Sequence, residues 1–349
     1  MVFSPKYYAH NPGKKHPESA KRLRVVVNEL NRGQLSTSNN WQYVKPHKAT
    51  LENVMLVHDW DYVKYSERFC RSGGGVLDTG DTVVSRESFD VAMYAVGGAL
   101  KAVDLVMKGQ FQNAFALVRP PGHHAGRADA RGFCVFNNVA IAIKHLLTKH
   151  ELKRVAVVDI DAHHGNGIQN IFYETDEVLY VSLHEDPHEF PKSGFIGQIG
   201  RRKGLGYTVN IPLPFETNDD VYLKALNEIA MPIVRQYKPQ FILVSAGFDG
   251  HYADPVGRLS LSAQCYTQVY DDTLTLASRT CNGRLVSVLE GGYSRNFVGK
   301  LAASAIAKMS GSPYVLYDSV MPSRKSVETK GQKILEKVKK VQKSFWNVG

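Results

Sequence analysis

The residues best suited to chemistry lie in one run, Val155-Ala156-Val157-Val158-Asp159-Ile160-Asp161-Ala162-His163-His164-Gly165-Asn166-Gly167. An apolar, β-branched stretch delivers aspartates, histidines and glycines within a few residues. The apolar part predicts a buried strand of a parallel sheet. The polar part then falls at the strand's carboxyl end, where open α/β sheets place their ligands. Asp161 and His163 are two apart, so on extended backbone they point the same way. A carboxylate and an imidazole on one face make half of a zinc site. The bland alternative is an Asp/His pair holding a turn.

Other apolar runs end in the same manner. Ala114–Val118 leads to Arg119-Pro120-Pro121-Gly122-His123-His124-Ala125. Val178–Leu183 leads to His184. Phe241–Ser245 leads to Ala246-Gly247-Phe248-Asp249. Leu285–Leu289 leads to Glu290-Gly291-Gly292-Tyr293. Polar chemistry at five strand ends along one sheet edge argues for a single site. Asp161, His163 and Asp249 supply one nitrogen and two oxygens and leave a position open for water. The set suits Zn2+, and also Fe2+ or Co2+. Bound water would have its pKa lowered toward neutrality. His123 and His124 are the candidate bases for its proton. Asp159 and Asn166 are nearby orienting partners for a histidine's second nitrogen. Tyr293 could donate its phenol proton to an oxyanion, or simply pack in a turn.

The elements that position these groups follow from the same pattern. Amphipathic stretches at Ser88–Met107, Val139–Leu147, Val221–Tyr237 and Ser262–Ser278 alternate with the strands. That alternation predicts an α/β fold with helices on both faces of a parallel sheet. The long loop His184–Tyr207 reads as a functional rim. Residues 1–315 read as one catalytic domain and residues 316–349 as a basic tail. Ile334, Leu335, Val338, Val341 and Phe345 keep helical spacing over Ser326–Trp346. That helix would dock on the body or, on the sharper reading, serve a membrane surface or a partner.

The 349 residues carry 43 Lys+Arg against 33 Asp+Glu, a formal charge of +10. No nucleic-acid motif accompanies the charge, so a nucleic-acid partner stays open and a solubilising surface is the simpler reading. No apolar run reaches the roughly 18 residues of a transmembrane helix, and the first residues lack a signal-peptide apolar region. Cys70, Cys134, Cys265 and Cys281 form no CxxC pair. A reducing cytoplasm is the expected location.

Together the segments resemble the histone deacetylase family of the arginase/deacetylase superfamily. The likeness rests on PPGHHA (Pro120–Ala125), GFCVFNN (Gly132–Asn138), DIDAHHGNG (Asp159–Gly167), SLH (Ser182–His184), SAGFD (Ser245–Asp249) and EGGY (Glu290–Tyr293). It runs from His16-Pro17-Glu18, with Arg22-Leu23, to about Gly311. The resemblance implies a three-layer α/β/α fold with a central eight-stranded parallel sheet. It implies removal of an acetyl or related acyl group from a lysine-like amine. The substrate would be an acylated lysine in a peptide or protein, or a small acylated amine. It further implies that Asp161, His163 and Asp249 hold zinc and that His124 is the general base. His123, backed by Asp159, would be its electrostatic partner, and Tyr293 would polarise the carbonyl. Phe133 and Phe190 would wall an acyl-lysine channel bordered by Gly132 and Gly291. Arg22 would sit near a product exit, and Asp81 at the rim. A structural K+ would take oxygens from Asp159, Asp161, His163, Ser182 and Leu183.

Two departures narrow this reading. Asn166 stands where one large branch has aspartate, which resembles the class II branch and predicts a lower pKa for His124. Val256 follows Asp254-Pro255 where polyamine-specific members carry a glutamate gatekeeper. An arginase-like two-manganese site lacks ligands, since Gly165 and His251 stand where further aspartates would be needed. A non-catalytic acyl-binding scaffold would have been signalled by loss of Tyr293 or a ligand aspartate. The oligomeric state stays open.

Overall fold

The computed structural model describes residues 1–349, the side chain of Gln34 apart. Twelve helices are named in chain order among the described residues. They are α1 Lys21–Leu30, α2 Gly33–Ser36, α3 Leu51–Val54, α4 Trp60–Arg71, α5 Ser88–Met107, α6 Asn138–Lys149, α7 Asn166–Phe172, α8 Asp219–Ala225, α9 Met231–Tyr237, α10 Ala263–Cys281, α11 Val298–Ser310 and α12 Lys325–Gln342. The strands are β1 Gly74–Val76, β2 Val83–Ser85, β3 Asn113–Ala116, β4 Val155–Asp159, β5 Val178–Glu185, β6 Thr208–Leu213, β7 Phe241–Ala246 and β8 Leu285–Leu289. The central sheet is six-stranded and parallel, in the order β3-β8-β7-β4-β5-β6. β1 and β2 form a separate antiparallel pair.

The expected eight strands are therefore six. Beyond β3 the sheet continues only through Val2, which bridges Ala116 on one side and Val44 on the other. Single-residue bridges lack the consecutive ladder bonds that define a strand. β6 had no counterpart among the expected strands, because Thr208-Val209-Asn210-Ile211-Pro212-Leu213 mixes polar residues and a proline into its apolar pattern. Pro212 is tolerated because β6 is an edge strand.

Every residue of β4, β5, β7 and β8 is buried. That explains their near-continuous Val, Ile and Leu content. Each such side chain contributes about 1.5–3 kcal/mol when fully buried. Val221–Tyr237 is wound as α8, a π turn over Leu226–Ala230, and α9. Register aligns the strand ends. Asp159 of β4 pairs with Ser182 of β5 and Ser245 of β7. The segments after β3, β4, β7 and β8 thus leave the sheet at one edge.

The C-terminal helix docks against β6 and α8. Val327, Leu335, Val338 and Gln342 are buried beneath it. Trp346 Nε1 donates to Gly206 O at 2.8 Å. Phe345 lies past the last helical turn and is partly exposed, with its ring against Gly206. The opposite face carries Lys330, Lys333 and Lys337 along a groove of about 810 Å³. No helix among the described residues is long and apolar enough to cross a membrane. All four cysteines are buried and unpaired.

Candidate active site

The ligand set converges as the strand ends require. His163 Nδ1 lies 3.1 Å from Asp249 Oδ2 and 3.4 Å from Asp161 Oδ1. A tetrahedral centre with bonds of about 2.0–2.1 Å has ligand-to-ligand edges of about 3.3 Å. Both of these edges are already close to that size, and the three ligand atoms all lie within 4.8 Å of one another. Backbone donors hold the carboxylates in place. His163 N–H donates to Asp161 Oδ1 at 2.9 Å, Gly291 N–H to Asp161 Oδ2 at 2.8 Å, and Ala162 N–H to Asp249 Oδ1 at 2.9 Å. A Cβ on Gly291 would stand 2.4 Å from Asp249 Oδ2 and 2.6 Å from Asp161 Oδ2. Only glycine lets the backbone approach this closely. Burial and the neighbouring Asp161 push the Asp249 carboxyl up to about 7. Two buried carboxylates crowded on one imidazole repel one another, and a dication between them would relieve that repulsion. The donor set therefore fits a metal ion.

The tandem histidines have opposite surroundings. His123 Nδ1 lies 3.2 Å from Asp159 Oδ2, and its Nε2 lies 3.8 Å from Asp161 Oδ2. Burial alone would lower its pKa, but the two carboxylates outweigh burial and raise it to about 10. The two carboxylates thus favour the charged form of His123. His124 Nδ1 meets Asn166 Oδ1 at 2.8 Å. An amide oxygen only accepts, so Nδ1 carries the proton and Nε2 has a free lone pair. Burial and repulsion from His123 hold His124 well below its ordinary value, with His163 adding to the repulsion. His124 is neutral at pH 7 and able to accept a proton.

Several supporting residues were not singled out from the sequence. Tyr180 O–H donates to Asp159 Oδ2 at 3.0 Å and accepts from Gly165 N–H at 3.0 Å. Glu290 Oε2 accepts from Gly122 N–H at 2.6 Å and His123 N–H at 3.0 Å. Asp254 Oδ2 accepts from Tyr293 N–H at 2.6 Å and Ser294 N–H at 2.8 Å. Glu185 Oε1 stands 3.8 Å from His163 Nε2, the nitrogen facing away from the aspartates. Glu185 directly follows the Ser-Leu-His triplet, and Glu290 opens Glu-Gly-Gly-Tyr. Their positions beside the quoted segments were the available signal. Tyr180 offered none, being one apolar residue among others in β5.

Glu18 is fully buried and joins the N-terminal segment to this edge. It takes two bonds from Arg119, at 2.8 and 2.7 Å, and one from Arg22 at 3.2 Å. His10 Nε2 lies 3.3 Å away. Arg22 Nε donates to Gly292 O at 2.6 Å, and the guanidinium also donates to Glu290 O. Its carbon lies 4.7 Å from the Tyr293 ring centroid. Arg22 is therefore buried beneath Tyr293.

Phe190 packs against the histidines and Phe133 against Tyr293. The Phe190 ring lies 4.9 Å from that of His124 and 5.7 Å from that of His163. The Phe133 ring lies 5.8 Å from that of Tyr293. Phe133 holds φ of +68°, an uncommon conformation for a bulky residue. Its N–H is fixed by Thr82 Oγ1 at 3.1 Å. A Cβ on Gly132 would meet His124 Cδ2 at 2.5 Å and Phe190 Cζ at 2.9 Å. The rim loop is tied down by His184 Nε2 to Gly194 O at 2.9 Å and His164 Nδ1 to Ser193 Oγ at 2.9 Å. Asp81 is exposed and lines a cleft of about 710 Å³ with Arg131 and Phe190. Val256 is half-buried, with its N–H on Asp254 Oδ1 at 3.0 Å.

Comparison with known proteins agrees with this arrangement. The sequence profile of the histone deacetylase domain matches residues 16–309. A probable deacetylase of Archaeoglobus fulgidus is 39% identical, with 99% of this chain and 98% of the relative covered. The human protein named polyamine deacetylase HDAC10 is 36% identical over 85% of this chain and 45% of its own length. The crystal structure of the HDA15 HD domain superposes with a TM-score of 0.88 at 30% identity, covering 99% of this chain and 96% of that one. With the fold, the motifs and the profile in agreement, this chain belongs to the histone deacetylase family.

Proposed function

We propose that this protein is a metal-dependent amidohydrolase that removes acetyl or related acyl groups from lysine-like amines. The observation that carries the proposal is the unlike histidine pair beside a three-ligand set. His124 Nδ1 faces an amide oxygen and leaves Nε2 free, His123 Nδ1 faces a carboxylate, and Asp161, His163 and Asp249 stand at coordination spacing. These three side chains would hold the metal, with zinc as the first choice and Fe2+ or Co2+ equally compatible with the donors. When bound, the metal would polarise the scissile carbonyl and acidify the attacking water.

The chain's own groups do the rest. His124 Nε2 takes a proton from the attacking water and later returns it to the leaving amine. Asn166 keeps the other proton on Nδ1, so Nε2 alone exchanges. General acid–base help of this kind contributes about 10²–10⁴-fold. The Tyr293 hydroxyl donates to the developing oxyanion, and His123 adds a fixed positive charge nearby. Phe133 and Phe190 flank the aliphatic stem of the substrate. Asp81 acts at the rim on the substrate backbone, and Arg22 acts at the product side of Tyr293. Val256 and the two glycines shape the channel. A structural K+ would draw oxygens from Asp159 and Ser182, a reading supported by their pairing in register. The Ser182 hydroxyl itself is engaged by His184 Nδ1 at 2.8 Å. Asp161, His163 and Leu183 would supply its other oxygens.

A small acylated amine is the second reading. It is favoured by Glu185, a nearly buried carboxylate beside His163, and by the name of the human relative. A turnover panel separates the two. It holds an acetyl-lysine peptide, longer acyl-lysine peptides, acetylputrescine and acetylspermidine. Preference for the peptides supports a lysine deacylase, and preference for the amines supports the second reading. No turnover on any member by metal-loaded protein overturns both.

A further inference from the structure

A second cluster of metal-ligating side chains lies at the opposite end of α6. Asp104 projects from α5, His145 from α6, and His150 is the residue that ends α6. His145 Nε2 and His150 Nε2 lie 2.9 and 2.8 Å from the same atom, Asp104 Oδ1. The two rings meet edge to face at 5.3 Å. α6 begins beside the active-site loop, where Asn138 Nδ2 donates to Pro120 O. Twelve helical residues span about 18 Å, so the cluster is remote from the Asp161 set. Nothing in the proposed hydrolysis uses it.

We propose that Asp104, His145 and His150 form a second site for a transition-metal dication, which clips α5 to α6. Two imidazole nitrogens and one carboxylate oxygen are the donors of a three-ligand zinc-type site. The nitrogen-rich set favours Zn2+, Co2+ or Ni2+ over Mg2+ and Ca2+. In the hydrogen-bonded state each imidazole nitrogen is 2.8–2.9 Å from the carboxylate oxygen and the three ligand atoms all lie within 4.8 Å of one another, against about 3.3 Å for a tetrahedral edge. The two nitrogen-to-oxygen contacts therefore need to widen by only about half an ångström on binding. His145 Nδ1 has no hydrogen-bond partner, so no bond on the far side of that ring resists the shift. The three side chains are 13–30% exposed, which leaves room for water as a fourth ligand. The single carboxylate brings one negative charge, which a dication outweighs. α5 leads into β3 and α6 into β4, so the clip joins two of the supports beneath the sheet.

The test uses the full-length protein, and Zn2+ and Co2+ are the probes. Metal is counted by mass spectrometry after gel filtration, and cobalt is followed by its visible absorption. The wild type should bind two equivalents. His150→Gln, His145→Gln and Asp104→Asn should each bind one and keep full turnover. Asp249→Asn should also bind one, now at the cluster, and the double variant with His150→Gln none. In the Asp249→Asn background, free Zn2+ at 100 times its Kd should raise Tm by about 2–5 °C, and His150→Gln should abolish the rise. One equivalent in the wild type, lost entirely in Asp249→Asn, would overturn the proposal. Two equivalents retained by all three cluster variants would overturn it equally.

Discussion

Replacing Asn166 by aspartate should move the pH dependence of turnover without moving the histidine it contacts. Asn166 Oδ1 is 2.8 Å from His124 Nδ1. An aspartate there puts a full negative charge about 4 Å from the centre of an imidazolium. At an effective dielectric of about 20 this is about 4 kcal/mol, or about 3 pKa units. Desolvation of the new carboxylate takes part of that back, so a rise of about 1–3 units is expected for His124. The sign follows from the role. His124 must be neutral to accept a proton, so activity is lost as pH falls through its pKa. In the wild type, burial and His123 hold that pKa well below 6.5. The acidic limb of kcat/KM therefore lies below pH 6.5 in the wild type and should climb by about 1–3 units in Asn166→Asp. The assay is kcat/KM against pH on a preferred acyl-amine, with metal content checked at each end. An acidic limb that stays put in a folded, metal-loaded variant would refute the assignment of His124 as the base.

Other expectations concern the oxyanion donor, the glycine floor and the buried glutamate. Tyr293→Phe should lower kcat by about 10²–10³-fold while metal content, measured by mass spectrometry, stays at the wild-type value. Gly291→Ala forces a Cβ within 2.4 Å of Asp249 Oδ2; it should sharply weaken metal binding in a competition titration, with circular dichroism unchanged. Glu18→Gln leaves Arg119 and Arg22 buried and underpaired, and should cost about 3–5 kcal/mol in denaturant unfolding. Glu18 would be raised by its burial, but Arg119 and His10 outweigh this and hold it well below 4.5. Its folded pKa is thus depressed, so its stabilisation is complete above about pH 4.5 and fades as pH falls below that. Tm measured from pH 6 to pH 3 should therefore drop more steeply in the wild type than in Glu18→Gln.

What could be read from the residues alone has a physical pattern. Buried parallel strands announce themselves, because both faces must be apolar; β8 falls at Leu285–Leu289 as expected, and β4 differs only in its last residue. The long amphipathic α5 was equally plain. Edges were not. β6 is polar and carries Pro212, and the outermost expected strands shrink to bridges at Val2. Chemistry presented by short motifs, such as Asp161 with His163, was readable because two-residue spacing fixes direction on extended backbone. Pairs made by folding were silent. Glu18 and Arg119 are separated by 101 positions, and neither position hints at the other. Asp104, His145 and His150 escaped notice for the same reason. The basic tail showed its helical period, but only the packed structure reveals that its apolar face is already covered by β6 and α8.

The central claim is that the Asp161, His163 and Asp249 set supports amide hydrolysis through a bound metal. The most direct measurement is acetate release from an acetyl-lysine peptide and acetylspermidine, made on metal-loaded protein, after chelation, and after Zn2+ is restored. The account predicts release that falls to background on chelation and returns with Zn2+ in the wild type but not in Asp249→Asn. Release that persists in protein shown to be metal-free, or that survives Asp249→Asn undiminished, would contradict it.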